Sequence, residues 1–549
     1  MVMTMRTRVC ILAVAAGVYG LVCPVVMRAQ DVGKVLGQYA KAEGGAGKLS
    51  KVVTLRLDGA VTSINGSVAD GGGQNAGGAA AITGGAAGVG EAGPAAYTFE
   101  TKLPNRYYAE MLAGDKSWIE AFNGKSAWRQ NARGEIGTLV GPEGLQVEAA
   151  ARFYNTRLLN PKKNRLVVTY AGSAQVRGRD AVELEVTSPA GAKRQVFFDA
   201  QTHLIVKEAA LVGGLQQEIL YDDYRPVDGV QVPYKIELRR GDDDFKIDVN
   251  RAAINERVGE RTFDFPKKAQ VVLPDLKALF AKIDANQKEI DKIRENYAGT
   301  KVEEETELGG DGKSKKTEIR ESTFFYLNGT EVSTLVKKDG KPLSEEEQKK
   351  ETERTNKEIE RLQKEADKKE KKDEKAEQEG KNSDDDDDVS MEDFLRACQF
   401  VNPRRERFRG ADVLVFDFEP NPEFKARTMV EKLIQKLGGV IWIDEKALDV
   451  ARLDAFLVGD ARIAGGLLAD VQKGTRIILE QEFVNNEVWL PTYESAHVDV
   501  KVFMVKGFHI DGTTRYSDYK KFNVQTIATI GKPKGVDADT DPSGASKPQ

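Results

Sequence analysis

Phe198-Asp199-Ala200-Gln201-Thr202-His203-Leu204-Ile205-Val206-Lys207 decides the fold, because the chain repeats its plan at Ile443-Asp444-Glu445-Lys446-Ala447-Leu448-Asp449-Val450-Ala451-Arg452. In both, an apolar residue and an aspartate precede a polar turn and a run ending on a base, and the step from aspartate to base is eight residues. Working outward, Asn160-Pro161 and Gly178 come before the first stretch, and Val230-Gln231-Val232-Pro233 comes after it. Asn402-Pro403, Gly410 and Val488-Trp489-Leu490-Pro491 stand in the same order around the second. The other intervals are longer in the second copy, as insertions in loops would make them. Any one match is a common strand-and-turn pattern. Their shared order predicts an internal duplication: two related β-rich modules in tandem.

A chain of 549 residues has room for two to four domains of roughly 100–200 residues each. Hydrophobic residues make up 40%, with 22 Phe, 15 Tyr and 4 Trp, enough for real cores. The net charge of −5 carries no basic bias toward nucleic acid. Arg6 and Arg8 precede an apolar stretch from Val9 to Val26, and Met27-Arg28-Ala29-Gln30 offers a cleavage point after Ala29. Residues 1–29 therefore read as a secretory signal peptide. An uncleaved anchor is the alternative, since the stretch nearly spans a bilayer, but Pro24 and the small Ala29 favour cleavage. Cleavage would leave Cys398 as the only cysteine, excluding an intrachain disulfide. The expectation is an exported protein of the periplasm.

The first module is expected over 31–270 and the second over 275–525. Helical spacing of Val32, Val35, Leu36 and Tyr39 predicts a helix over 31–48, and Val52–Ile64 alternates as a strand. Gly71–Ala96 is Gly/Ala low-complexity sequence that buries too little to order itself. Gly114-Asp115, Asn123-Gly124 and Asn328-Gly329 each mark a hairpin turn between apolar runs. Val147, Ala150, Ala151, Tyr154 and Leu158 mark an amphipathic helix ending near Asn160-Pro161, and short strands follow as far as Phe265. Lys277–Asn296, Met391–Phe400 and Phe424–Leu437 are expected as helices of the second module. Between them, 344–388 carries Glu/Lys pairs at four-residue spacing and ends in Asp384–Asp388. Its apolar residues are sparse, so it is expected to be a solvated charged helix belonging to neither sheet. Residues 529–549 read as a disordered tail. The fold class is α+β: a meander of strands with few helices favours curved antiparallel sheets over a doubly wound one.

The sequence lacks a catalytic constellation. The three histidines share no metal-ligand spacing, and no His-Glu-x-x-His is present. Asn123-Gly124-Lys125-Ser126 imitates the end of a phosphate-binding loop, but Ile119 stands where its first glycine is required. The Asp537–Asp541 pattern would put Pro548 at the bidentate position of a calcium loop. Cys398 is expected in the core of its helix. These readings predict no enzyme, no cofactor and no metal. Trp118-Ile119-Glu120-Ala121-Phe122 places large apolar groups on both faces of one strand, which points to a packed core on one side and a cavity or a covering helix on the other.

Pro104-Asn105-Arg106-Tyr107, Phe122-Asn123-Gly124-Lys125-Ser126-Ala127-Trp128, Phe198-Asp199, Tyr221-Asp222-Asp223-Tyr224 and Val227-Asp228-Gly229-Val230-Gln231-Val232-Pro233 follow one another in the first half. Cys398-Gln399-Phe400, Trp442-Ile443-Asp444-Glu445 and Trp489-Leu490-Pro491 do so in the second. In this order they resemble the outer-membrane lipoprotein-sorting protein superfamily, over almost the whole mature chain. The resemblance implies two tandem unclosed antiparallel β-barrels, each a curved sheet with covering helices whose concave apolar face shelters acyl chains. It implies a lipid- or lipoprotein-binding carrier in transient contact with membranes. The alternative is an envelope-stress sensor or scaffold that engages an envelope protein through the second module and the charged insertion. Trp118, Phe122, Tyr154, Leu158, Trp442 and Trp489 are the candidate cavity residues.

Overall fold

A computed structural model of the protein describes residues 26–63, 95–113, 116–131, 133–259, 262–308, 314–379, 391–426, 428–463, 469–502 and 508–522. The leader up to residue 25, nearly all of the Gly/Ala stretch, Gly114-Asp115, Asp384–Asp388 and 529–549 lie outside the described residues. The chain divides into two compact units: Met1–Gln287, Glu303–Ile319 and Asp384–Arg515 form one, and Lys288–Val302, Arg320–Ser383 and Tyr516–Gln549 the other.

Alternating apolar residues and tight turns build two large antiparallel sheets, neither closed into a barrel. The first has thirteen strands. Its order runs backward along the chain from an edge at Ile136–Leu139, through Ala127–Gln130, Lys116–Phe122, Arg106–Ala113 and Ala95–Lys102, to Thr54–Ser63. That strand pairs with the last one, Asp243–Ile254, and the order then runs backward again through Val230–Arg240 and Leu215–Val227 to the other edge at Val167–Val176. The helix Gly141–Thr156 connects one edge to the other. The pairing of first strand with last contains a bulge between Asp58 and Gly59. A Cβ on Gly59 would lie 2.4 Å from the Asp248 carbonyl oxygen, so this close approach of two backbones requires glycine.

The second sheet is wired alike. Lys341–Pro342, Thr330–Lys338 and Ser314–Leu327 run backward to Tyr297–Leu308, which pairs with the last strand, Phe508–Lys521. From there the order returns through Val488–Val502, Arg476–Val484, Asp449–Leu457, Leu437–Asp444 and Ala411–Pro420 to Cys398–Phe408. Asn328 and Gly329 both have positive φ, 51° and 69°, as a two-residue hairpin turn demands.

Within the first unit, residues of the two sheets meet through a buried polar cluster. Asp417, fully buried, accepts from Asn123 Nδ2 at 2.9 Å, Ser126 Oγ at 3.2 Å, Asn402 Nδ2 at 2.9 Å and Arg404 Nη1 at 3.0 Å. Arg404 also donates to Thr138 Oγ1, and its guanidinium lies 4.7 Å from the Phe265 ring centre. Arg476 bridges Glu148 at 2.6 Å and Asp454 at 2.7 Å.

Three expectations need correction. The helix at Met391 ends at Ala397, and Cys398 opens a strand, paired with Pro420. Asn402-Pro403 forms a bulge in that strand, with Asn402 at φ 54°, because an Asn-Pro step interrupts a ladder as readily as it ends a helix. The helix expected over Phe424–Leu437 is confined to Met429–Ile434, where a Thr428/Glu431 capping box starts it. The charged insertion is a helix, Glu345–Glu379, but it does not stand clear of structure. In the second unit, Glu351 Oε1 accepts from the Leu335 backbone at 2.8 Å, and Arg354 donates to the Ser333 carbonyl at 2.6 Å. Leu362 is 4% exposed. Charged side chains docked this helix on strand backbone, a contact that apolar periodicity cannot reveal.

Candidate functional site

Strand alternation aims every second residue of the first sheet at its concave face. Leu55 and Leu57, Tyr97 and Phe99, and Tyr107, Ala109 and Met111 supply one wall. Ile219, Val232, Ile236, Leu238, Phe245 and Ile247 supply the other. The roof is helical. Tyr39 and Glu43, four residues apart on the helix Val26–Glu43, share one face, and Phe153, Tyr154 and Arg157 come from the helix Gly141–Thr156 and the residue after it. Together they line a half-open cavity of about 580 Å³, inside the roughly 300–1,000 Å³ common for small-molecule sites. Aromatic edges pack its interior: Phe99 meets Tyr154 at 5.2 Å and Tyr107 at 5.8 Å between ring centres.

Three charged clusters punctuate these walls. Glu208, 2% exposed, accepts from Arg194 at 2.6 Å, Tyr221 at 2.7 Å and Tyr154 at 3.3 Å. The Arg194 guanidinium also lies 5.3 Å from the Phe153 ring centre. Burial, reinforced by the Glu208 charge, raises the Tyr154 and Tyr221 hydroxyls, so both remain donors. The second cluster pairs Glu43 with Arg157 at 3.1 Å, both side chains 9% exposed. Burial raises the Glu43 carboxyl against the opposing pull of Arg157 and of the Tyr39 hydroxyl one helical turn away, and its second oxygen, Oε2, makes no hydrogen bond of good geometry. In the third, Arg129 donates to Glu120 at 2.6 Å and to Glu143 at 2.5 Å, while Arg240 reaches Glu143 at 2.9 Å.

Of the candidates read from sequence, Trp118 and Tyr154 line this cavity. The Trp118 indole Nε1 is buried without a partner. Phe122 and Leu158, each 3% exposed, belong to the apolar core of the same sheet. Trp442 and Trp489 are packed within the second sheet with Phe408, Val413 and Val415. Trp489 donates to Asp444 at 3.1 Å, and Arg452 lies 4.5 Å from the Trp442 ring centre. Against Trp442 there is a cavity of about 20 Å³, room for about one water. The ionic residues Glu43, Arg157, Arg194 and Glu208 escaped the sequence reading. One signal was present: Arg194 shares strand parity with the core residues Val196 and Phe198, which marks an inward-facing charge. Among the described residues no group of three or more His, Cys, Asp or Glu is arranged to hold a metal ion.

No family model matches the chain, and no curated protein matches it. Among solved structures it is similar to a DUF1329 family protein from Desulfovibrio piger, 14% identical, covering 42% of this chain and 97% of that one at a TM-score of 0.27. A LolA superfamily protein from Nitrosomonas europaea is 10% identical, covering 43% of this chain and 98% of that one at a TM-score of 0.26. The Pseudomonas aeruginosa MucA/MucB complex is 9% identical, covering 89% of this chain and 99% of that one at a TM-score of 0.17. At such identities and TM-scores these likenesses carry no argument about the site, whose chemistry rests on the cavity itself.

Proposed function

We propose that the protein is an exported carrier that shelters the acyl chain of a lipid or of an acylated lipoprotein in the cavity of its first sheet. The observation that supports this is the cavity of about 580 Å³, walled by aliphatic and aromatic side chains and roofed by two helices. Transfer of an acyl chain from water into such a site contributes up to about 0.8 kcal/mol per methylene, so apolar burial alone yields useful affinity without catalytic groups. Export to the periplasm fits the basic-then-apolar pattern of Arg6, Arg8 and Val9–Val26. The alternative reading is an envelope-stress sensor or scaffold that engages a protein partner through the second module and the charged insertion: Trp442 and Trp489, 1% and 0% exposed, are packed core there and not the wall of an acyl cavity.

Native mass spectrometry of the full chain isolated from the cell envelope tests both. Co-purifying lipid that dissociates in organic solvent is the expected result. A stoichiometric protein partner with no lipid would replace the carrier reading by the scaffold one.

A further inference from the structure

The charges inside the cavity bear on which acyl ligands fit, an inference that rests on the carrier reading. Six carboxylates line the cavity: Glu43, Glu110, Glu120, Glu208, Asp242 and Asp243. Three guanidiniums do so, Arg129, Arg157 and Arg240, and the lining contains no lysine. Each guanidinium already holds a carboxylate: Arg129 holds Glu120 and Glu143, Arg157 holds Glu43, and Arg240 holds Glu143. Arg194, which bonds the lining residue Glu208, is likewise committed. An anionic head group entering here must either displace a protein carboxylate or be buried beside uncompensated negative charge.

The unpartnered atoms point to a different chemistry. Glu43 is 7% exposed, and its Oε2 is an acceptor that no protein donor meets in good geometry, the Tyr39 hydroxyl included. Trp118 lines the same cavity, and its Nε1 is a buried donor with no hydrogen-bond partner. Buried polar atoms left in this state cost stability, and a ligand that satisfies them recovers it. A hydroxyl or a primary amide supplies a donor for Glu43, and an ester or amide carbonyl supplies an acceptor for Trp118.

We propose that the cavity selects acyl lipids whose head is uncharged and bears hydroxyl or amide groups, donating to Glu43, and that it discriminates against free fatty acids and anionic phospholipids.

The test is displacement of the uncharged fluorescent probe N-phenylnaphthylamine from the full chain by monolaurin, lauramide and laurate. These share one acyl chain, and a mildly alkaline buffer keeps laurate ionised. Monolaurin and lauramide are expected to displace the probe at concentrations roughly tenfold below laurate. Glu43→Gln keeps an acceptor and removes the charge, so laurate should gain several-fold on monolaurin. Equal or better displacement by laurate in the wild type overturns the proposal, as does an unchanged ranking in a folded Glu43→Gln protein. If that variant does not fold, the wild-type ranking still decides. Failure of the probe and of all three ligands to bind would instead overturn the carrier reading on which this rests.

Discussion

Arg404 shows how much one side chain can decide. It and Asp417 are both fully buried, joined at 3.0 Å, and they tie residues of the two sheets together through Thr138, Asn123 and Ser126. Removing one member of a buried pair strands the other charge, so Arg404→Ala should lower unfolding free energy by about 3 kcal/mol. Urea denaturation followed by tryptophan fluorescence measures it, and a loss below about 1 kcal/mol would mean that water reaches the pair. A second residue sets a pH dependence. Burial opposes protonation of His497, but the hydrogen bonds its ring donates to Asp499 and Asp511 outweigh that and raise the imidazole from 6.5 to about 9. Asp499 also holds Arg165 at 2.8 Å and bonds His509. A folded pKa above the unfolded one gives stability that is complete below about pH 6.5 and lost as pH rises through about 9. Thermal stability should therefore decline across that window, and His497→Asn should flatten the decline; equal slopes in both proteins would refute the assignment.

Among the elements, the charged helix Glu345–Glu379 departs furthest from its sequence pattern. Its pairs, such as Lys350–Glu346 at 2.6 Å, lie on exposed side chains and add little. Its attachment comes from Glu351 and Arg354 gripping strand backbone and from Leu362, 4% exposed. Leu362→Ala should cost the second unit about 2–3 kcal/mol, the usual loss for a buried leucine that leaves a cavity. Lys350→Ala, on the solvent side, should be nearly neutral. Hydrogen exchange along Thr330–Lys338 reports the difference, and equal protection in the two variants would mean that Leu362 does not anchor the helix. The helix Gly141–Thr156 has a different task. Its Phe153 and Tyr154 cap the cavity, while Glu148 reaches Arg476 of the second sheet.

For the whole molecule, binding and folding are linked. A ligand held only by the folded cavity at a hundred times its Kd adds about 2.7 kcal/mol of stability, so monolaurin should raise the melting temperature measurably. No shift at saturating monolaurin would mean that the folded state does not hold it in preference to the unfolded chain. Much of this architecture was legible in the sequence. The hairpins at Asn123-Gly124 and Asn328-Gly329, the strand alternation and the helix apolar faces are local properties, written in turn chemistry and in periods of 2 and 3.6. The landmarks Phe198-Asp199 and Ile443-Asp444 each end the third strand from an edge of an antiparallel sheet. Other features needed the folded chain. Thr54–Ser63 pairs with Asp243–Ile254 across nearly the whole module, and Arg157 meets Glu43 from 114 residues away. Trp118 and Phe122 have the same alternation, yet one lines the cavity and the other fills core. Sequence determined which residues face inward, because backbone geometry alone sets that period. Only the tertiary structure decided which inward faces leave a space between them, because that depends on how sheet curvature and helix roof meet.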